Sequence, residues 1–175
     1  REYADIILKE SNRLGNLINK FLDISRIEAG KSQVNKMALD IQFIIKNILE
    51  LNMYVAEKKG IRVNLSIPDE LPAVNVDKGM IEEVVLNLFS NAVKYSPENT
   101  QIDISAEPRE HEVLISMKDQ GFGISKESLP NIFNKFYRVT DNEKVKDIEG
   151  SGLGLSLVKE IIELHAGTLW AESEL

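Results

Sequence analysis

The sequence contains no cysteine, only one tryptophan, and fewer basic than acidic side chains. Without cysteine there is no disulfide framework, no thiolate zinc site and no cysteine nucleophile, and a reducing compartment is expected. The 21 Lys and Arg stand against 28 Asp and Glu, which gives a formal charge of -7. Nucleic-acid binding needs clustered cations, so this balance argues against it.

Long apolar runs are also missing. No stretch approaches the roughly 20 residues that span a bilayer, and no signal peptide opens the chain, so we expect a cytoplasmic location and no membrane contact by these residues. A chain of 175 residues with 43% hydrophobic side chains is long enough for a real core but not for two large domains. Because the sequence begins at Arg1, we expect a piece of a longer polypeptide, whose parent can still carry a membrane anchor.

Residues 3–28 predict one long helix, because Gly15 is the only glycine or proline among them. Their apolar side chains recur at alternating steps of three and four, as in a bundle seam; the seam residues are Tyr3, Ile7, Leu14, Leu17, Phe21 and Ile24. We interpret this helix as one member of a bundle whose partner is missing. The alternative is a helix that lies on its own globular domain. The pattern stops at Gly30, so the predicted domains are residues 1–31 and 32–175.

Residues 32–175 predict a single α/β domain. Strand patterns occupy residues 34–39, 61–67, 102–106, 113–117 and 168–171. Helix patterns follow the capping residue Asp40 and then occupy residues 78–95, 129–136 and 151–165. Residues 137–150 show no period, and a loop of that length is functional or disordered.

A polar face on the helix 78–95 is the first candidate site. Glu83, Asn87, Asn91 and Lys94 are spaced by four, four and three residues, so they lie on one side of the helix, away from its apolar face. Asparagine is a poor residue for a helix interior, so two of them one turn apart suggest a task for their oxygens. An amide oxygen can hold Mg²⁺ beside a polyphosphate without adding negative charge. The alternative is a solvated face, which is the simpler interpretation for Glu83 and Lys94.

The segment from Asp119 to Ile124, with Gly121 and Gly123 inside it, follows a predicted strand. A carboxylate at a strand end can accept a hydrogen bond from an exocyclic amine such as that of adenine. The glycines would then let the ring approach the backbone. The alternative is ordinary turn chemistry, since Asp commonly precedes Gly in turns.

A glycine-rich stretch, Gly150-Ser151-Gly152-Leu153-Gly154, opens the last predicted helix. Free N–H groups and the positive end of the helix dipole make such an entry an anion site, so phosphates are expected here. The stretch fits neither the dinucleotide fingerprint nor the P-loop. The alternative is that the glycines serve only a mobile loop and close packing.

Aromatic and cationic residues precede the long loop. Phe136 is most simply a core residue and Arg138 most simply solvated, yet a guanidinium at the hinge of a phosphate-covering lid can reach a terminal phosphate.

Of the two histidines, His111 lies in a predicted turn and His165 in the last turn of a helix, where a partial positive charge suits the dipole. Neither has a base beside it in sequence, so neither is expected to be catalytic.

These motifs in this order resemble the ATP-binding catalytic domain of bacterial sensor histidine kinases, in the superfamily of gyrase, Hsp90, histidine kinase and MutL ATPases. Residues 87–95 resemble the N box, 119–123 the G1 box, 133–136 the F box and 150–154 the G2 box. Residues 1–31 resemble the second helix of the dimerisation and phosphotransfer domain. The resemblance implies an α/β (α+β) two-layer sandwich, with a mixed sheet on one side and helices on the other.

The resemblance also implies roles for single residues. Asn87 would coordinate Mg²⁺, with Asn91 on the metal or the phosphates, and Lys94 and Arg138 would act on the transferred phosphate. The adenine amine would bind Asp119. Further contacts with ATP are implied for Tyr95, Gly121, Gly123, Ile124, Phe136, Gly150, Ser151, Gly152, Leu153 and Gly154.

The implied function is a protein-histidine kinase that transfers the γ-phosphate of ATP to a histidine upstream of Arg1. The implied partners are a second copy, which would pair through the bundle helix, and the receiver domain of a response regulator. Two alternatives stay open: a nucleotide-binding but kinase-inactive docking module, and a relative such as an anti-sigma serine kinase or ATPase. ATP-hydrolysing relatives carry a Glu base where this chain has Asn87, which favours phosphate delivery to a protein nucleophile.

Overall fold

The computed structural model describes residues 2–140, 143–146 and 148–174. Within them the helices are α1 (Glu2–Glu28), α2 (Ile41–Lys58), α3 (Lys78–Tyr95), α4 (Glu143–Lys146) and α5 (Gly154–Leu164). The strands are β1 (Met37–Leu39), β2 (Arg62–Ser66), β3 (Val74–Val76), β4 (Gln101–Pro108) and β5 (Val113–Asp119). A 3₁₀ turn, Leu129–Asn131, lies between β5 and α4.

The main sheet contains β2, β4 and β5 in that order. β2 runs parallel to β4, with Val63 opposite Ile102, and β5 runs antiparallel to β4. Alternate side chains of β4 are buried, among them Ile102 and Ile104. They share one hydrophobic core with buried side chains of α2, α3 and α5, such as Ile45 and Phe89. The predicted two-layer α/β sandwich with a mixed sheet is therefore confirmed.

The helix α1 packs against α5 through its second half. Ile24 is completely buried in the core, and Leu17 and Ile27 pack against it. In the first half of α1 the large apolar side chains are exposed; they are Tyr3, Ile6, Ile7, Leu8 and Leu14. The second half thus lies on its own domain, as the alternative interpretation has it, while the bundle partner and the boundary after residue 31 stay predictions. Among the described residues, none of the helices combines the length and the hydrophobicity that crossing a bilayer requires.

A second, antiparallel sheet joins β1 to β3, with Met37 opposite Val76. The strand β3 was not predicted, because three residues are too few to show a period. The predicted strand 34–39 contracts to β1, and Asp40 caps α2 as predicted by accepting a hydrogen bond from the N–H of Gln42.

Three predicted elements differ from the structure. Residues 168–171 join no strand ladder among the described residues, so the predicted final strand is wrong. The predicted helix 129–136 contracts to the 3₁₀ turn, and Phe136 has a φ of 62°, which no right-handed helix accommodates. The last helix begins at Gly154 rather than Ser151, because Gly152 has a φ of 70°. The loop 137–150 contains the short helix α4, with Val145 buried.

The side chain of Asp77 fixes the start of α3. Its carboxylate accepts hydrogen bonds from the N–H of Asn35 at 2.9 Å and from the N–H of Met80 at 3.2 Å, and these bonds lower the pKa of Asp77. Because its pKa is lower in the folded chain, the ionised carboxylate stabilises the fold above its unfolded pKa. That contribution is lost as the pH falls through the folded pKa.

We therefore expect Asp77→Ala to lower the free energy of unfolding by about 1 kcal/mol at neutral pH, the usual cost of losing an N-cap. Asp77→Asn keeps one capping oxygen and should cost less. Urea unfolding at neutral pH and again below about pH 3 tests this, because the difference between the parent chain and Asp77→Ala should shrink in acid. A difference that grows in acid would contradict the assignment.

Candidate functional site

The N-box asparagines lie where α3 faces the beginning of α5. Asn87 is only 8% exposed, because Lys20 of α1 and the start of α5 cover it. A Cβ atom on Gly154 would lie 3.1 Å from Asn87 Oδ1 and 3.9 Å from Asn91 Nδ2. The absence of a side chain at Gly154 therefore lets the first turn of α5 approach both amides.

The N-terminus of α5 has the features of an anion site. No side chain caps it, so the first N–H groups of the helix keep no side-chain acceptor among the described residues. Leu153 is completely buried, and its N–H donates to the hydroxyl of Ser151 at 3.3 Å. The buried Leu153 anchors the G2 box, while Ser151 and the glycines around it stay at the surface of the site.

Lys94 and Tyr95 lie opposite the other end of the G2 box. The ammonium of Lys94 donates to the hydroxyl of Tyr95 at 3.2 Å, and a Cβ atom on Gly150 would lie 2.6 Å from that nitrogen. The C-terminal end of α3 is held by Lys59, whose ammonium donates to the carbonyl oxygens of Val93, Lys94 and Ser96. Sequence reasoning missed Lys59, because a lysine before a glycine carries no signal of its own.

The G1 box connects β5 to the end of α3. Asp119 ends β5, and its carboxylate accepts a hydrogen bond from the N–H of Gly121 at 2.8 Å. The N–H of Phe122 donates to the carbonyl of Tyr95. Burial of the carboxyl group raises the pKa of Asp119, and the hydrogen bond from Gly121 partly offsets this rise. The backbone bonds of Gly121 and Phe122 thus hold the Asp119 carboxylate in place relative to Tyr95 at the end of the N box.

The rest of the G1 box is held by the C-terminal segment. Gly123 has a φ of 73°, and the N–H of Ile124 donates to the hydroxyl of Ser173 at 2.9 Å. Ser173, which lies beyond the predicted strand 168–171, therefore supports the loop.

The F box contacts the G2 box directly. The N–H of Phe136 donates to the carbonyl of Gly152 at 2.9 Å. Phe136 is 54% exposed, so the expectation of a core residue is wrong. Its backbone has a positive φ, and its ring contacts the ring of Phe21 of α1, with 6.0 Å between the ring centroids. This hydrogen bond joins the residues on either side of the loop 137–150, which is called the lid from here on.

Arg138 is bonded to the loop 137–150. Its guanidinium donates to the carbonyl of Ile148 at 2.8 Å and to that of Lys146 at 3.4 Å. Among the described residues no contact joins it to Asn87 or to the G2 box. The lid residues 141, 142 and 147, which sequence reasoning included in the loop, lie outside the described residues.

The two histidines have structural surroundings. His111 is exposed in the turn between β4 and β5. His165 accepts a hydrogen bond at Nε2 from the N–H of Asp77 at 3.0 Å, and its Nδ1 lies 2.7 Å from the carbonyl of Ile161. We assign the proton to Nδ1 because Nε2 must accept. The Nε2 atom of His165 thus joins the end of α5 to the start of α3, while Nδ1 bonds back to the last turn of α5 itself.

The amide oxygens of the N box suit a hard cation. Asn87 Oδ1 already accepts a hydrogen bond from a cation, the ammonium of Lys20, at 2.7 Å. Among the described residues there is no group of three or more His, Cys, Asp or Glu side chains that could hold a metal ion. A metal held by these amides would therefore take water or phosphate oxygens as its remaining ligands.

The contact between Gly152 and Phe136 leads to a testable expectation. A Cβ atom on residue 152 would lie 2.6 Å from the carbonyl carbon of Phe136, and the φ of 70° is strained for any residue with a side chain. Gly152→Ala should therefore lower the free energy of unfolding by about 1–3 kcal/mol. Gly15→Ala is the control: a Cβ there meets nothing within 4 Å in the middle of α1 and should stabilise the chain by about 0.5–1 kcal/mol. Thermal unfolding that ranks the two variants in the opposite order would contradict this account.

Comparisons with known proteins agree with the motifs. The family model described as histidine kinase-, DNA gyrase B- and HSP90-like ATPase matches residues 76–175. The sensor histidine kinase WalK of Bacillus subtilis (strain 168) is 33% identical over 166 residues, which cover 94% of this chain and 27% of WalK. The chain thus spans little more than a quarter of that curated relative.

Solved structures share the fold. Full-length ShkA in complex with AMPPNP matches with a TM-score of 0.80 and 26% identity, over 93% of this chain and 33% of ShkA. The histidine kinase ThkA in complex with the response regulator protein TrrA matches with a TM-score of 0.73 and 24% identity, over 95% of this chain and 45% of ThkA. The predicted resemblance to sensor histidine kinases is confirmed. Because the family model covers more than half of the sequence, this chain belongs to the family of histidine kinase-, DNA gyrase B- and HSP90-like ATPases.

Proposed function

We propose that these 175 residues bind ATP with Mg²⁺ and present its γ-phosphate to a histidine on another helix, as the catalytic domain of a two-component sensor histidine kinase. The observation that carries the proposal is the approach of Asn87 and Asn91 to the N-terminus of α5 at Gly154. The amide oxygen of Asn87 and free N–H groups at the start of α5 lie side by side there, an arrangement that suits a metal-bound triphosphate.

The adenine binds at the G1 box. Asp119 accepts a hydrogen bond from the exocyclic amine, and Gly121 and Gly123 leave room for the ring beside the backbone. Ile124 and the ring of Tyr95 would supply apolar surface close to the base. The raised pKa of Asp119 supports this role, since a partly buried carboxylate gains most from a new hydrogen-bond donor.

The phosphates lie along the G2 box toward α3. The N–H groups of the G2 box other than that of Leu153, which donates to Ser151, donate to phosphate oxygens, and the Lys94 ammonium adds a positive charge beside Gly150. Mg²⁺, when bound, would be held by Asn87 and Asn91 and would offset charge on the terminal phosphates. Arg138 would act on the γ-phosphate; in the structure its Nη2 group donates to the carbonyls of Lys146 and Ile148.

Catalysis by this domain is mainly a matter of position. Phosphoryl transfer needs an acceptor in line with the γ-phosphate, at near-attack distances of roughly 3–3.5 Å. The histidines of this chain do not meet that need: His165 lies eleven residues from Gly154, about 16 Å along a helix. The acceptor is therefore a histidine outside these 175 residues.

The partners follow from the same proposal. The exposed apolar side chains in the first half of α1 support pairing with a second copy through a helical bundle. A response regulator receives the phosphate from the acceptor histidine. The domain works in the cytoplasm, where ATP is available.

The test is labelling with γ-³²P-ATP and Mg²⁺ of a polypeptide that carries these residues together with a histidine-bearing bundle helix. We expect an acid-labile label on that histidine and none on the 175 residues alone. Nucleotide binding without labelling of the longer chain would support the inactive docking module instead. Label on the 175 residues that disappears in His165→Ala would contradict the proposed acceptor.

A further inference from the structure

Lys20 of α1 reaches into the N box. Its ammonium donates to Asn87 Oδ1 at 2.7 Å, across 67 residues of sequence, and both side chains are partly or fully buried. Asn87 donates through its own Nδ2 to the carbonyl of Glu83 at 2.8 Å, which fixes the amide so that Oδ1 faces Lys20 and Gly154. The contact is therefore a directed one between α1 and α3.

Lys20 belongs to the face of α1 that docks on the domain. Leu17, Ile24 and Ile27 lie on this face and pack against the core, and Lys20 lies between them at helical spacing. A lysine within an apolar docking face loses solvation and side-chain entropy, and the hydrogen bond to Asn87 compensates for this loss. Removing α1 from the domain would free Asn87 Oδ1.

Three further contacts join α1 to the loops around the site. The ring of Phe21 meets Phe136 of the F box, and Glu28 forms an ion pair with Lys135. A weaker ion pair of 4.0 Å joins Lys9 to Glu149 at the end of the lid. The docked α1 thus touches the N box, the F box and the lid together.

We infer that Lys20 is an autoinhibitory residue that, with α1 docked, occupies the cation position on Asn87 and so opposes magnesium-dependent nucleotide binding. An ammonium and a divalent cation on one amide oxygen repel each other at close range, so binding of either one disfavours the other. Docking of Lys20 on Asn87 therefore lowers the affinity for the metal nucleotide, and binding of the metal nucleotide weakens the docking. Such coupling is reciprocal, so removal of Lys20 must favour the metal nucleotide.

This inference depends on the proposed nucleotide site, and its test separates the two. The quantity to measure by calorimetry is the dissociation constant of ADP in EDTA divided by that in Mg²⁺, for the 175-residue chain and its variants. Lys20→Met should raise this ratio about fivefold or more. Lys20→Arg, which keeps a cation on the same helix face, should stay near the parent ratio.

Lys31→Met is the matched control, because it removes the same charge from an exposed position just after α1. Its ratio should equal that of the parent chain. An unchanged or lower ratio in Lys20→Met, with ADP still bound, would overturn the inference and leave the proposed function intact. If ADP binds none of these chains, the proposed function itself fails, and the inference with it.

Discussion

Asp119→Asn should weaken ADP binding by about 10- to 150-fold, because replacing a hydrogen-bonded charge costs roughly 1.5–3 kcal/mol. The carboxylate ends β5 and is oriented by the N–H of Gly121, so it has one fixed direction in which to accept the adenine amine. An asparagine keeps the shape but offers a neutral oxygen and a competing N–H₂ group. Calorimetric titration with ADP measures the loss.

The control for this prediction is Asp69→Asn, which makes the same change at an exposed residue between β2 and β3. Its ADP affinity should match that of the parent chain. If Asp119→Asn remained folded and bound ADP as tightly as the parent, the adenine would not lie on Asp119.

Asn87→Ala should remove most of the magnesium dependence of ADP and ATP binding, an effect of tenfold or more if the amide is a metal ligand as proposed. The residual affinity in EDTA should change less, because the base and the G2 box do not depend on this side chain. Titrations with and without Mg²⁺ separate these two contributions.

Asn52→Ala provides a close control for Asn87→Ala. Asn52 lies within α2 and donates to the carbonyl of Ile48 four residues earlier at 2.7 Å, as Asn87 does to Glu83 at 2.8 Å. Both changes therefore remove the same helix-internal hydrogen bond, and only one removes the N-box oxygen. Full magnesium dependence in Asn87→Ala would show that Asn87 is not the ligand.

The sequence predicted the elements that build the site better than it predicted their contacts. The helix α3 has the predicted bounds, 78–95, because its apolar period is strong and Ser96 and Pro97 follow its end; in the structure Asp77 caps its beginning. The strands β4 and β5 were found because their alternation continues over several residues. These elements already order Asn87, Asp119 and the G2 box along the chain.

The parts that were missed depend on distant pairing. β3 is a strand only because β1 lies beside it, and residues 168–171 are not a strand because they pair with no described neighbour. The positive φ of Phe136 goes with a hydrogen bond from its N–H to the carbonyl of Gly152, sixteen residues away, which no local pattern reveals. The hydrogen bond between Lys20 and Asn87 spans 67 residues, so no local pattern contains it.

The glycines offer the most direct measurement of the central claim, which is that an adenine nucleotide binds between the G1 box, the G2 box and α3. The chain has ten glycines, and ¹⁵N-glycine labelling gives one amide signal for each. On addition of Mg·ADP we expect the signals of the site glycines to shift, while the signals of Gly60, Gly79 and Gly167, which lie elsewhere, stay in place. The site glycines are Gly121, Gly123, Gly150, Gly152 and Gly154. The account of the site would be contradicted if the signals of these five glycines did not move at millimolar Mg·ADP. It would also be contradicted if the signals of Gly60, Gly79 and Gly167 moved instead.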